Sequence, residues 1–139
     1  MKVYKVLRMI NRTSVGFEGG NLFVLHYPPD KKVVPKIPHS KLFAFTELVD
    51  AIRFVVNTSW EIYEAEAENV TNPTFRYLTL YKKFAVKLWQ SLHDNDYKDR
   101  NRNLQNHSET DVPIGMVLCD SLVVSEHPIN IGRTYEGEI

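Results

Sequence analysis

The sequence predicts an α+β fold, a mainly antiparallel sheet packed against two helices. Several short segments alternate apolar and polar residues with the period of a strand. Two others repeat apolar residues at helical spacing. The chain has 139 residues, 43% hydrophobic and 24% charged, which fits one domain with a core of its own.

Lys2 to Met9 reads as the first strand. Val3, Leu7 and Met9 share one face, Tyr4, Val6 and Arg8 take the other, and Lys5 is the exception on the apolar face. Asn11 to Asn21 holds Gly16, Gly19 and Gly20, which is turn chemistry, and Leu22 to Tyr27 reads as a second strand ending at Pro28-Pro29. A hairpin between these two strands is expected. Pro28 to Ser40 contains four prolines and runs extended, with Val33-Val34 a short edge strand. Leu42 to Phe45 is an apolar burst leading into a helix. Thr46 is a suitable N-cap there, with Glu47 in the first turn, where the helix dipole favours an acid. Leu48, Ile52 and Val55 recur at helical spacing with Val49 and Val56 beside them, and Asn57 is a C-terminal stop.

Trp60 to Ala67 alternates as a strand, with Trp60, Ile62 and Glu64 on one face and Glu61, Tyr63 and Ala65 on the other. Asn72-Pro73 can open a helix, whereas the residues that follow it, through 80, suit a strand equally well. From Tyr81 a helix is expected, with Tyr81, Ala85, Leu88 and Leu92 in one stripe and Phe84 and Trp89 flanking it. Residues 94–111 are expected to form a long polar loop. Ile114 to Cys119 and Ser121 to Ser125 are strand material around Asp120, and the tail is expected to fray from His127.

Seventeen basic residues balance seventeen acidic ones, so the chain lacks the broad positive field of a nonspecific nucleic-acid binder. Neutrality leaves self-association into a homo-oligomer open. The single cysteine, Cys119, points to a reducing compartment. No signal peptide or membrane-length apolar run is present, so a cytoplasmic location is expected.

The five histidines show no metal-ligand spacing, and no metal or cofactor is expected. Asp94-Asn95-Asp96 fails as a calcium loop because Lys98 occupies a ligand position and Asp99 the turn glycine. Gly16, Gly19 and Gly20 lack the following helix that a phosphate loop needs. Cys119 reads as a small buried hydrophobe and Ser121 lacks nucleophile-elbow glycines, so no catalytic residue is assigned. The binding candidates are Tyr97, Lys98, Arg100, Arg102 and His107. Arginine's planar fork suits phosphate or carboxylate, and an aromatic can stack on a base. The competing reading is a solvated loop neutralised by Asp94, Asp96, Asp99 and Glu109.

Three stretches carry a resemblance: Lys2–Arg8, Leu42–Phe54 continuing to Trp60–Glu64, and Pro113–Val124. In that order they resemble small uncharacterised proteins encoded by bacteriophages and prophages. Those proteins commonly carry a hydroxyl residue after the glycine, where this chain has Met116. The resemblance implies an α+β sheet packed on helices and a viral origin, and it carries over no catalytic residue. The expectation is therefore a non-catalytic phage accessory protein that sequesters or blocks a host component, either a signalling nucleotide or a defence protein. Two alternatives stand beside it. One is a nucleotide hydrolase or ADP-ribosyl transferase built from Arg8, Tyr63, Glu64 and His107, and the other is a virion adaptor.

Overall fold

The computed structural model describes residues 1–15, 25–36, 39–73 and 113–130 in full and the backbone of 77–79 and 109–111. The opening alternation becomes β1 (Lys2–Arg8), with Val3 and Leu7 buried on one face and Val6 on the other. The strand stops before Met9, which is 47% exposed. The chain reverses there at once. The Arg12 N–H donates to the Arg8 carbonyl at 3.0 Å, and Leu7 and Ser14 form an antiparallel bridge. A first turn therefore precedes the glycines. The expected hairpin between β1 and Leu22–Tyr27 is not what the described residues form. Leu25 to Tyr27 approaches the chain after β1 through a single Thr13–His26 bridge, and β1 finds its lateral partners elsewhere.

The elements that follow are β2 (Lys32–Val33), β3 (Leu42–Phe45), α1 (Leu48–Phe54), β4 (Trp60–Glu68), β5 (Tyr77–Thr79), β6 (Glu109–Asp111), β7 (Met116–Cys119) and β8 (Ser121–Pro128). Six strands form one antiparallel sheet in the order β2-β8-β4-β1-β3-β7, and β5 pairs with β6. The antiparallel sheet matches the expected class. Among the described residues α1 is the one helix. The second helix expected from Tyr81 to Leu92 lies outside them, as does the loop through residue 108. The last part of that loop, Glu109–Asp111, is strand, and so is Tyr77–Thr79, where helix and strand were both open. His127 and Pro128, placed in a fraying tail, complete β8, and the Ile129 N–H donates to the Ile62 carbonyl at 2.7 Å.

Only Asp120 links β7 to β8, yet β3, β1 and β4 lie between them in the sheet. In a flat sheet those four spacings would be about 19 Å, whereas one linking residue reaches about 7 Å. The sheet must therefore curl back on itself. Thr71, just beyond β4, seals the curl by exchanging two 2.8 Å backbone bonds with Leu118 of β7. Asn69 makes the necessary bend with φ 55°, a left-handed conformation that Asn tolerates.

Curling gives the sheet an inside and an outside. Inside lie Val3, Leu7, Tyr27, Leu42, Tyr63, Leu122 and Val124. Outside, α1 covers Val6, Phe43, Phe45, Ile62, Met116 and Leu118. Strands β3 and β7 are buried on both faces, which is why Leu-Phe-Ala-Phe and Met-Val-Leu-Cys run apolar without alternation. Lys5 points inside with 4% exposure. Its ammonium donates to the Phe43 carbonyl at 2.6 Å and lies 5.0 Å from the centre of the Tyr27 ring. These contacts offset the cost of burying a cation and explain the exception in the β1 alternation.

Helix α1 starts one residue later than expected. Glu47 is the N-cap and no side chain caps the helix. Ala51 is buried, with Leu48, Phe54 and Val55 packed against the core, while Ile52 is 41% exposed. The inward stripe is thus turned by about one residue from the Leu48–Ile52–Val55 reading, because Phe54 and Val55 fold back toward Phe45 and Trp60.

Arg12, itself at φ 54°, clips the exposed side of β8. Its guanidinium donates to the carbonyls of Tyr27 at 2.7 Å, Ser125 at 2.9 Å and Glu126 at 3.1 Å, and lies 4.7 Å from the centre of the Tyr63 ring. Burial pushes the Tyr63 phenol up from its ordinary pKa, and the neighbouring Glu61 adds to the shift while Arg12 opposes it. Asp120 is hydrogen-bonded by Lys41 and, at 2.9 Å, by the Asn69 amide. These bonds hold its carboxyl below the usual range.

Two outcomes follow for stability. Arg12→Ala should cost about 2–3 kcal/mol in chemical denaturation, and Arg12→Lys should not restore it, since one ammonium cannot span three carbonyls. A carboxyl whose folded pKa is depressed stabilises above its unfolded value, about 3.9, and that contribution vanishes as pH falls through the folded value. Asp120 is partly exposed, so Asp120→Asn should lower stability at pH 7 by no more than about 1 kcal/mol. At pH 2 the difference should shrink toward zero.

Candidate functional site

The end of α1, the start of β4 and the turn before β7 enclose a cleft of about 540 Å³, within the usual range for small-ligand sites. Its floor is aromatic. Phe54, at the last turn of α1, lies with its ring centre 5.3 Å from that of Phe45 and stacks on Trp60 at 5.9 Å with 27° between planes. Trp60 is half-buried, and its indole N–H has no acceptor among the described residues. The walls are apolar and open at the rim, where Val56 is 83% and Ile114 77% exposed.

Two arginines line the same cleft. Arg8 is the cross-strand partner of Trp60, so the pairing of β1 with β4 sets cation and ring side by side. The Arg8 Nη1 donates to the Ser14 carbonyl and to Thr13 Oγ1 at 3.4 Å. Among the described residues its Nε and Nη2 have no acceptor. Arg53 projects from the last turn of α1 with 67% of its side chain exposed, 3.6 Å from Asp50.

Asp50 joins the two walls. Its side chain lies directly over Gly115, where an added Cβ would come 2.1 Å from Oδ2. Gly115 also holds φ 82°, a conformation that side chains disfavour. The glycine thus lets α1 and the turn at 113–115 close together.

The residues assigned to binding from sequence, Tyr97, Lys98, Arg100, Arg102 and His107, lie outside the described residues. The pairing of Tyr77 with Asp111 and of Thr79 with Glu109 sets β5 beside β6. Val112 alone separates β6 from Pro113 on the cleft wall. Of the alternative enzymatic set, Arg8 is in the cleft, but Tyr63 is buried inside the curled sheet and donates to Glu61 at 3.1 Å. Glu64 pairs with Lys2 at 3.0 Å, four strand positions from Trp60 and so about 13 Å along β4. These three do not converge.

Sequence reasoning missed Arg53, Phe54, Asp50 and Ile114. Arg53 reads as an ordinary solvated charge at a helix end, and only the fold sets it beside Trp60. Cys119 is fully buried and its thiol lies 3.7 Å from the Leu42 carbonyl, as expected of a packing residue. Among the described residues no cluster of three His, Cys, Asp or Glu could hold a metal, and no helix is long and apolar enough to cross a membrane.

Gly115→Ala should cost about 1–3 kcal/mol in thermal or chemical unfolding, from overlap with Asp50 and the strained backbone. It should also displace Ile114 from the cleft, seen as a red shift of Trp60 emission in a variant lacking Trp89. A neutral effect on both readings would show that the Asp50–Gly115 contact does not set the wall.

Comparison of the chain with known protein families, with characterised proteins and with solved structures finds no match.

Proposed function

We propose that this chain is a non-catalytic binding protein that captures a nucleotide-like ligand in the cleft beside α1 and so withholds it. The observation that carries this reading is the pairing, in one cleft, of a stacked Phe54–Trp60 floor with the two guanidinium groups of Arg8 and Arg53. A planar base gains by stacking on the indole, and the Nε–Nη2 edge of Arg8 suits two oxygens of one phosphate. The Trp60 N–H, which has no acceptor among the described residues, adds a donor beside them.

The resemblance to phage and prophage proteins supplies the setting, an accessory protein made in an infected host cell to remove a signalling nucleotide. The same cleft could instead grip a side chain of a host defence protein. The nucleotide is favoured because cation and aromatic floor share a concave site rather than a flat one. Transfer or hydrolysis would need an acid or base at the bound phosphate, and the one carboxylate lining the cleft among the described residues, Asp50, is paired with Arg53 and packed over Gly115.

The test is equilibrium binding of the full chain to cyclic nucleotides, nucleoside phosphates and ADP-ribose derivatives, followed by recovery of the ligand after denaturation. Saturable binding with the ligand recovered unchanged is expected. Trp60→Ala should weaken it at least tenfold, consistent with about 1–3 kcal/mol for one stacked base. Multiple turnover would replace this reading with the enzymatic one, and a host protein as the sole partner would replace it with the protein-blocking one.

A further inference from the structure

The charges of the cleft say more about its ligand than its shape does. Among the described residues three charged side chains line it: Arg8, Arg53 and Asp50. Arg53 and Asp50 lie on successive turns of α1 with 3.6 Å between Nη1 and Oδ1. Their formal charges sum to zero, while each still acts on a group placed close to it. Asp50 cannot easily swing away, since Gly115 receives its side chain on one side and only 13% of that side chain is exposed. Arg8 is different. Its guanidinium is tethered through Nη1 to Ser14 and Thr13, and among the described residues no carboxylate partners it. Among the described residues the formal charge of the lining is therefore +1, carried by one tethered fork.

Resting on the binding reading above, we infer that the cleft selects a nucleotide bearing a single negative charge, a phosphodiester, over the same nucleotide bearing a terminal phosphate. A phosphodiester offers two unesterified oxygens and one charge, which the Nε–Nη2 edge of Arg8 can meet in bidentate fashion. A terminal monophosphate carries close to two charges near pH 7.5 and a triphosphate more. Each extra charge would have to lose water against apolar walls formed by Val15, Val56, Pro113 and Ile114. It would also approach Asp50, whose carboxylate repels it. Asp50 is thus a specificity residue acting through charge, and it would be worth keeping in a protein that must leave abundant nucleoside triphosphates alone.

The experiment is calorimetric titration of the full chain at pH 7.5 and fixed salt. The probes are adenosine, 3′,5′-cyclic AMP, a linear adenylyl dinucleoside monophosphate, 5′-AMP and ATP, with the corresponding guanine series. The expected order is diester first, then 5′-monophosphate, then triphosphate, with the nucleoside weaker than the diester. Whether the cyclic or the linear diester binds tighter identifies the source of the ligand, and either supports the inference. Asp50→Asn keeps the shape of the side chain and removes its charge. It should raise affinity for 5′-AMP about fivefold relative to the diester, the equivalent of about 1 kcal/mol for a partly exposed pair. Arg53→Gln, at an exposed position with little bearing on folding, should lower diester affinity by about the same factor because Asp50 then faces the ligand uncompensated. ATP binding tightest, a nucleoside binding as well as the diester, or an Asp50→Asn variant that folds normally with the wild-type order intact would each overturn the charge selection while leaving nucleotide binding standing. No binding by any probe in either series would overturn the binding reading itself, and the charge selection with it.

Discussion

The link between β7 and β8 is a single residue, Asp120, although the two strands belong to different sides of the sheet. That constraint decides the rest of the architecture. A flat sheet cannot be joined across four strand spacings by one residue, so the sheet curls, and Thr71 meets Leu118 where the edges come together. The curl creates an enclosed apolar interior from residues that a flat sheet would leave open to water on one face. It also leaves an outer face that needs separate cover, and α1 supplies it. The two hydrophobic clusters and the two doubly buried strands are consequences of one short connection.

The same constraint locates the cleft. Seven-residue α1 is too short to cover the whole outer face, and its last turn stops beside Trp60 rather than reaching past it. The described residues leave a gap between that turn and the wall at 113–115. Its floor is made of aromatic residues that also pack on the core, and its cations come from the end of β1 and the end of α1. The cleft's character depends on the register in which Arg8 faces Trp60. A slip of one residue would send Arg8 inside the sheet and turn Trp60 away.

Much of this was legible in the residues. Period-two alternation set out β1 and β4 to within one residue of their ends, because each has one face more polar than the other, and the Val33-Val34 edge strand lies within one residue of β2. The strands on either side of Asp120 were legible as apolar runs, with β7 starting two residues later and β8 ending three residues later than expected. Leu42 to Phe45 was legible as apolar but not as strand, because burial on both faces removes the alternation that would identify it. The hairpin expected after β1 failed for a different reason. The chain already turns through Met9 to Arg12, which depends on Arg12 adopting a left-handed backbone for which composition gives no sign, so Thr13 rather than β1 bridges to His26. The cleft was the least legible part. Its residues are spread over 107 positions of sequence, from Arg8 to Ile114, and no local spacing brings them together.

The closure of the sheet is the claim on which both the interior and the cleft depend, and amide hydrogen exchange under native conditions tests it most directly. If Thr71 and Leu118 hold each other across the seam, both amides should exchange only through global unfolding, with protection equal to that of Leu7 and Ile62 in the central strands. Exchange of these two amides at rates typical of an exposed strand edge, while β1 and β4 remain protected, would show an open sheet and contradict the account.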